Sequence, residues 1–272
     1  MTTEQQERWH VSGSAAELCE RYTVTWMFEP LARRVLARVP LRPGSRVLDV
    51  ACGTGIVARL AAPRVAPNGQ VMGVDLNEAM LAWARKLSAE AGLAIEWRQG
   101  DASALGFPDG AFDAVVCQQG LQFFPDRAGA LREMARVLAP GGTLAVAVWG
   151  EPGPFIRSLA LGLSTFAGEA VGKQCLAPYK LSDIKALQAL AHQAGLGAAV
   201  ICTEVVHRRV EATQEWLLRF SSGLPYGPAV AAIAPGTRAR MLRDVAASLK
   251  SYWITDHFSV PQDNHLLYFT KP

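Results

Sequence analysis

Long apolar runs are missing from this sequence. No stretch approaches the roughly 20 apolar residues that a helix needs to cross a bilayer. The opening MTTEQQERWH carries no apolar core of a secretion signal. Cysteine is sparse: Cys19, Cys52, Cys117, Cys175 and Cys202 are widely spaced, odd in number and contain no C-x-x-C pair. That argues against a disulfide framework and a thiolate metal site, and it fits a reducing, cytoplasmic setting. An excess of one charge is also absent. The 27 Lys and Arg residues against 24 Asp and Glu residues leave +3, too little to predict nucleic-acid binding. Arg33, Arg34 and Arg38 cluster locally, but Leu31, Ala32, Val35, Leu36 and Val39 take the opposite face of the same helical pattern. A solvated amphipathic helix accounts for them. There is no internal repeat and no low-complexity segment.

What is present is enough apolar material for a sizeable core: half of 272 residues. The chain reads as one structural domain in three parts. Residues 1–42 form a helical lead-in, with Pro30 suited to a first helical turn and the helix running to about Val39. Residues 43–150 alternate strands (46–51, 70–75, 94–99, 112–118, 143–149) with helices at about 55–64 and 77–91 and a third opened by Asp126. Asn77 and Asp126 suit N-caps, and Pro140-Gly141-Gly142 stops the third helix. Such alternation predicts βαβ units and a mostly parallel sheet. Residues 151–272 begin with a Pro- and Gly-bearing stretch, 151–180, expected to cross the top of the sheet. A helix (182–194), a strand (198–209), a mostly helical insertion (211–261) and a last strand (264–271) follow.

The chemistry concentrates in 47-VLDVACGTG-55. Glycines directly after a buried strand let the backbone bend and approach a ligand, and the next helix offers its first N–H groups to the crevice. The spacing Gly53-x-Gly55-x-x-Ala58, with Asp75 about 20 residues on, also satisfies a dinucleotide fingerprint, so an NAD(P)-dependent oxidoreductase competes. Asp49 separates the two. A carboxylate beside the loop repels a pyrophosphate and suits a cation.

These residues, with 100-GDA-102, 112-FDAVVCQQGLQFF-124 and 136-RVLAPGGTL-144, resemble the class I S-adenosylmethionine-dependent methyltransferases, especially their ubiquinone/menaquinone-biosynthesis-like branch. The resemblance is strong over about 45–149 and weaker elsewhere. It implies a Rossmann-like, doubly wound, mostly parallel seven-stranded sheet with helices on both faces, an antiparallel last strand and helical lid segments. It implies S-adenosyl-L-methionine as donor and S-adenosyl-L-homocysteine as product. Asp49, Ala51, Gly53 and Gly55 match the first motif, with Ala51 standing where the family has its first glycine. Asp75 inherits the ribose hydroxyls, Leu76 and Met80 the flanks of adenine, and Asp101 and Ala102 the adenine edge. Gln118 inherits the methionine part, and Tyr22 the aromatic position over the cofactor.

The resemblance further implies a small, partly aromatic acceptor shaped by the 211–261 insertion, with O, N or C as the accepting atom. No metal, nucleic acid or oligomeric partner is predicted. A non-methylating relative that uses the pocket for cyclisation is the alternative. His10 and His257, in the segments best able to cover the pocket, are the candidate bases. Tyr22 and Tyr226 are candidates to orient a hydroxyl. Trp9, Trp26, Phe28, Trp216, Phe220, Trp253 and Phe258 are candidates to line the acceptor site.

Overall fold

The computed structural model describes residues 13–272. The chain enters through helix α1 (Gly13–Cys19), widens into a π-helical stretch, Glu20–Phe28, and tightens again into α2 (Glu29–Ala37). Pro30 does not open a helix as expected: helical dihedrals run unbroken through Phe28 and Glu29, so it lies inside a continuous helix, just after the π-helical stretch. Then come β1 (Arg46–Val50), α3 (Ile56–Val65), β2 (Gln70–Asp75), α4 (Glu78–Glu90), β3 (Glu96–Gln99), β4 (Phe112–Gln118), α5 (Arg127–Val137) and β5 (Leu138–Trp149). The two predicted caps are formed. The Asn77 side chain accepts from the N–H groups of Ala79 and Met80, and Asp126 accepts from that of Gly129.

One seven-stranded sheet results, in the order β3-β2-β1-β4-β5-β7-β6. The pairs among β1 to β5 are parallel, and β7 (Phe258–Thr270) runs against both β5 and β6 (Val200–Val210). Alternation along each central strand sends Val47, Val116 and Ala145 into one core, beneath α2, α3 and α6 (Pro154–Ala167). Leu48, Val115 and Leu144 enter the other, beneath α5 and α8 (Ile184–Gln193). Between β6 and β7 lie α9 (Gln214–Ser221), α10 (Gly227–Ala232) and α11 (Pro235–Ser248), packed over the first face with α6.

Three boundaries differ from expectation. Residues 151–180 contain two helices, α6 and α7 (Glu169–Leu176), rather than a bare crossing. Their internal glycines are contact points: a Cβ on Gly162 would meet Met241 Cγ at 2.8 Å, and one on Gly172 the Ala160 carbonyl at 2.6 Å. The fifth strand begins at Leu138, with the Pro-Gly-Gly turn absorbed as a register shift against β4. The last strand begins at Phe258, because its first half pairs fully with β6. Lys271 Nζ then donates to the carbonyls of Ala135, Arg136 and Leu138, satisfying the end of α5. Among the described residues no helix is long and apolar enough to cross a membrane.

Candidate functional site

The site is assembled where the strand order reverses, between β1 and β4, the place where open α/β sheets leave a crevice. Beyond Val50 the chain turns through positive φ at Ala51 (54°), Gly53 (56°) and Gly55 (84°) before α3 starts. For Ala51 that conformation costs about 1–2 kcal/mol. Gly55 has a second constraint, since any Cβ there would run into the Trp97 ring. Asp49 is 1% exposed. Its Oδ2 accepts the Ala58 N–H at 3.0 Å, tying β1 to the first turn of α3. Burial pushes the Asp49 carboxyl up to about 8; the Ala58 N–H opposes this and the neighbouring Asp75 charge adds to it.

Asp75 closes β2. Its Oδ2 accepts the Gly53 N–H and its Oδ1 the Asn77 N–H, both at 2.8 Å. Burial raises its pKa, and the N–H groups of Asn77, Gly53 and Leu76 pull the other way. A loop N–H that a phosphate would need is thus already held by a carboxylate. Asp101 follows β3, with its Oδ1 accepting from the Ser103 N–H at 2.8 Å and hydroxyl at 2.7 Å. Gln118 ends β4. Its Nε2 donates to the Phe28 carbonyl at 2.9 Å, while its buried Oε1 has no hydrogen-bond partner.

Asp49, Asp75, Asp101 and Gln118 line one cavity of about 1150 Å³. Sites for one drug-sized ligand run to about 1,000 Å³, and this one lies at the top of that range. Leu76, Met80, Ala51, Gly53 and Ala102 complete the end near the acids. Toward β5 the lining changes to Trp149, Tyr179, Phe220, Tyr226 and Arg208. Arg208 is 6% exposed. Its guanidinium lies over the rings of Trp149, Phe155 and Phe220, at 5.7, 6.0 and 5.6 Å from their centroids. Burial raises the pKa values of Cys175 (to about 12), Tyr179 and Tyr226, so these groups keep their protons at neutral pH. Between the two ends, Gln119 Nε2 donates to Asn264 Oδ1 and Gln122 Nε2 to Gln119 Oε1, a buried chain of amides. The Gln119 backbone holds φ 58°, a second strained residue on the cavity wall.

The structure brings Asp49, Ala51, Gly53, Asp75, Leu76, Met80, Asp101, Ala102 and Gln118 to this cavity. Gly55 stands behind the wall, against Trp97. Tyr22 lies outside the lining, where its hydroxyl accepts from Arg219 Nη1 at 2.8 Å. Its neighbours Cys19, Thr23, Val24 and Phe28 face the cavity instead. His257 sits just before β7 with its Nδ1 2.6 Å from Asp256 Oδ1, away from the cavity. His10 and Trp9 lie outside the described residues, and no described histidine lines the cavity. Of the aromatic candidates, Phe28, Phe220 and Tyr226 line it. Trp216 packs behind, stacked on Phe220 at 4.9 Å, and Trp26 and Trp253 are exposed. Arg208 escaped the sequence reading. Its signal was there: it alternates with Val206 and Val210 on the buried face of β6.

Residues 48–146 match the model of a methyltransferase domain. Nocamycin O-methyltransferase from Saccharothrix syringae is 40% identical over 136 residues, which cover 50% of this chain and 48% of that protein. The ubiquinone/menaquinone biosynthesis C-methyltransferase UbiE from Ectopseudomonas mendocina is 44% identical over 115 residues, 42% of this chain and 45% of its own. The chain thus spans about half the length of the curated relatives it matches. Among solved structures, the [4+2]-cyclase SpnF superposes with a TM-score of 0.55 at 26% identity, over 90% of this chain and 80% of that one.

Proposed function

Residues 48–146 match a methyltransferase domain, and from that premise we propose that the chain transfers a methyl group from S-adenosyl-L-methionine to a small-molecule acceptor. One observation carries the reading. Carboxylates at three neighbouring strand ends, Asp49, Asp75 and Asp101, surround a cavity whose wall also holds the unpartnered Gln118 Oε1. A ligand with a cation, an ammonium donor and a diol satisfies that set, and a pyrophosphate does not.

When bound, the donor supplies an activated methyl group whose leaving group departs neutral. The residues of the chain hold and orient it. The Asp75 carboxylate accepts from ribose hydroxyls, Leu76 and Met80 flank the base, and Asp101 and Ala102 meet its edge. Gln118 Oε1 accepts a hydrogen bond from the ammonium, and Asp49 supplies the counter-charge. Phe28, Trp149 and Phe220 exclude water from the acceptor end. Alignment of this kind can supply on the order of 7–11 kcal/mol of the barrier.

The binding test is calorimetric. S-adenosylhomocysteine is expected to bind and NADH not to; NADH binding alone overturns the reading. Asp75→Ala should weaken S-adenosylhomocysteine by about tenfold or more, the loss of hydrogen bonds to a charged group, with an unchanged circular dichroism spectrum. Undiminished affinity removes Asp75 from the site. The similarity to SpnF supports a second reading, in which the same cavity promotes a cyclisation. Product analysis with an isotopically labelled methyl donor separates the two, because only methyl transfer moves the label.

A further inference from the structure

We propose that the acceptor is an anion: an apolar, ring-bearing molecule whose carboxylate or ionised hydroxyl docks on Arg208. The word acceptor rests on the methyl-transfer reading above; the anion site rests on geometry alone. Residues 206, 208 and 210 share one face of β6, by the two-residue period of a strand. Val206 and Val210 fill the core there, at 2% and 0% exposure, and a guanidinium stands between them. No carboxylate of the described residues pairs with it. Taking an ion out of water costs several kcal/mol even after relaxation. A desolvated cation–π contact returns about 2 kcal/mol. The three rings around Arg208 therefore soften the cost without supplying the missing negative charge. Arg208 lines the cavity beside Tyr179, whose hydroxyl it engages, and its planar fork suits bidentate oxygen anions.

The distribution of charge around the cavity agrees. The acids come from the ends of β1, β2 and β3, at one side of the sheet. Of the lining cations, Arg208 comes from β6, at the opposite edge of the sheet, whereas Arg127 opens α5, whose neighbouring residues lie beside Asp101. Arg127 Nε is itself buried without a hydrogen-bond partner. A cationic donor and an anionic acceptor would each meet the opposite charge. An acceptor that has already lost its proton to bulk water and docks as the anion needs no base from the protein, and none of the described histidines lines this cavity.

The test uses matched pairs that differ in charge and little in shape: benzoate and benzamide, 2-naphthoate and 2-naphthamide, 4-nitrophenolate and 4-nitroanisole. Each is titrated into the full chain saturated with S-adenosylhomocysteine, at mildly alkaline pH and fixed ionic strength. The anion of at least one pair is expected to bind about tenfold or more tighter than its neutral partner. Arg208→Met should abolish that preference and leave S-adenosylhomocysteine affinity within about twofold, a change far below one tenfold step. No preference in any pair, or a preference that survives Arg208→Met, overturns the proposal. If Arg208→Met fails to fold, Arg208→Lys serves: it keeps the charge, loses the planar fork and should weaken the anion several-fold, and unchanged affinity overturns the proposal. Absence of S-adenosylhomocysteine binding sinks only the methyl-transfer reading. The pairs are then titrated without it, and Arg208 is judged on that comparison.

Discussion

At the scale of single residues, Asp49 gives the clearest pH prediction. Its carboxyl titrates at about 8 in the folded chain against an ordinary 3.8. Between those values the folded state holds a proton that the unfolded state has lost. Ligand-free stability therefore falls as pH rises through this window, then levels off above about 8. A cation bound beside the carboxylate pulls its pKa back down, so binding releases a proton below pH 8. S-adenosylhomocysteine affinity should rise by up to about tenfold per pH unit on approaching 8 and then flatten. Asp49→Asn should remove the slope, and a slope that persists would place the cation elsewhere. Gly120 offers a steric counterpart. A Cβ there would lie 2.6 Å from Ala51 Cβ and 3.0 Å from Cys117 Sγ. Gly120→Ala should cost about 1–3 kcal/mol in urea denaturation. Adding Ala51→Gly should recover part of it, because it removes one clash and relieves the left-handed alanine; a purely additive double mutant would contradict this.

At the scale of elements, α7 lies across α6 with Gly172 at the crossing, so close that a Cβ meets the Ala160 carbonyl at 2.6 Å and runs into Ser164 Oγ. Alanine would improve helix propensity by up to about 1 kcal/mol. Overpacking against a backbone carbonyl costs about 1–3 kcal/mol, so sterics win. Gly172→Ala should lower stability by about 1–2 kcal/mol; a gain would mean the two helices separate freely. The π-helical stretch is the other informative element, as wide turns recur at functional sites. From it Glu20 accepts the Thr54 hydroxyl at 2.5 Å and pairs with Arg59, while Tyr22 meets Arg219 of α9. The lead-in is thereby fastened to both the glycine loop and the late insertion.

At the scale of the whole molecule, the cavity is closed by three segments far apart in sequence, so filling it should stabilise the entire fold. Donor-product binding at 100 times Kd adds about 2.7 kcal/mol. For a chain of this size about 2–4 °C accompanies each kcal/mol, which gives a rise in Tm of about 5–10 °C with S-adenosylhomocysteine. NADH at the same concentration should leave Tm unchanged. A protein stabilised equally by both would bind nucleosides without the charge discrimination argued here.

Strand order, the helices between the first five strands, the caps at Asn77 and Asp126 and the acid–glycine loop were legible in the sequence, because they are local. A two-residue period, an N-cap and a turn glycine each declare themselves within a few positions. The depth of Arg208, the displacement of Tyr22 by its neighbours and the service of Gly162 and Gly172 as helix contacts were decided only by tertiary packing. Each depends on which distant surface arrives opposite, and β6 reaches Trp149 of β5 only after β7 has been inserted between them. Sequence set what each segment is; burial of one segment against another set which of its side chains reach the cavity.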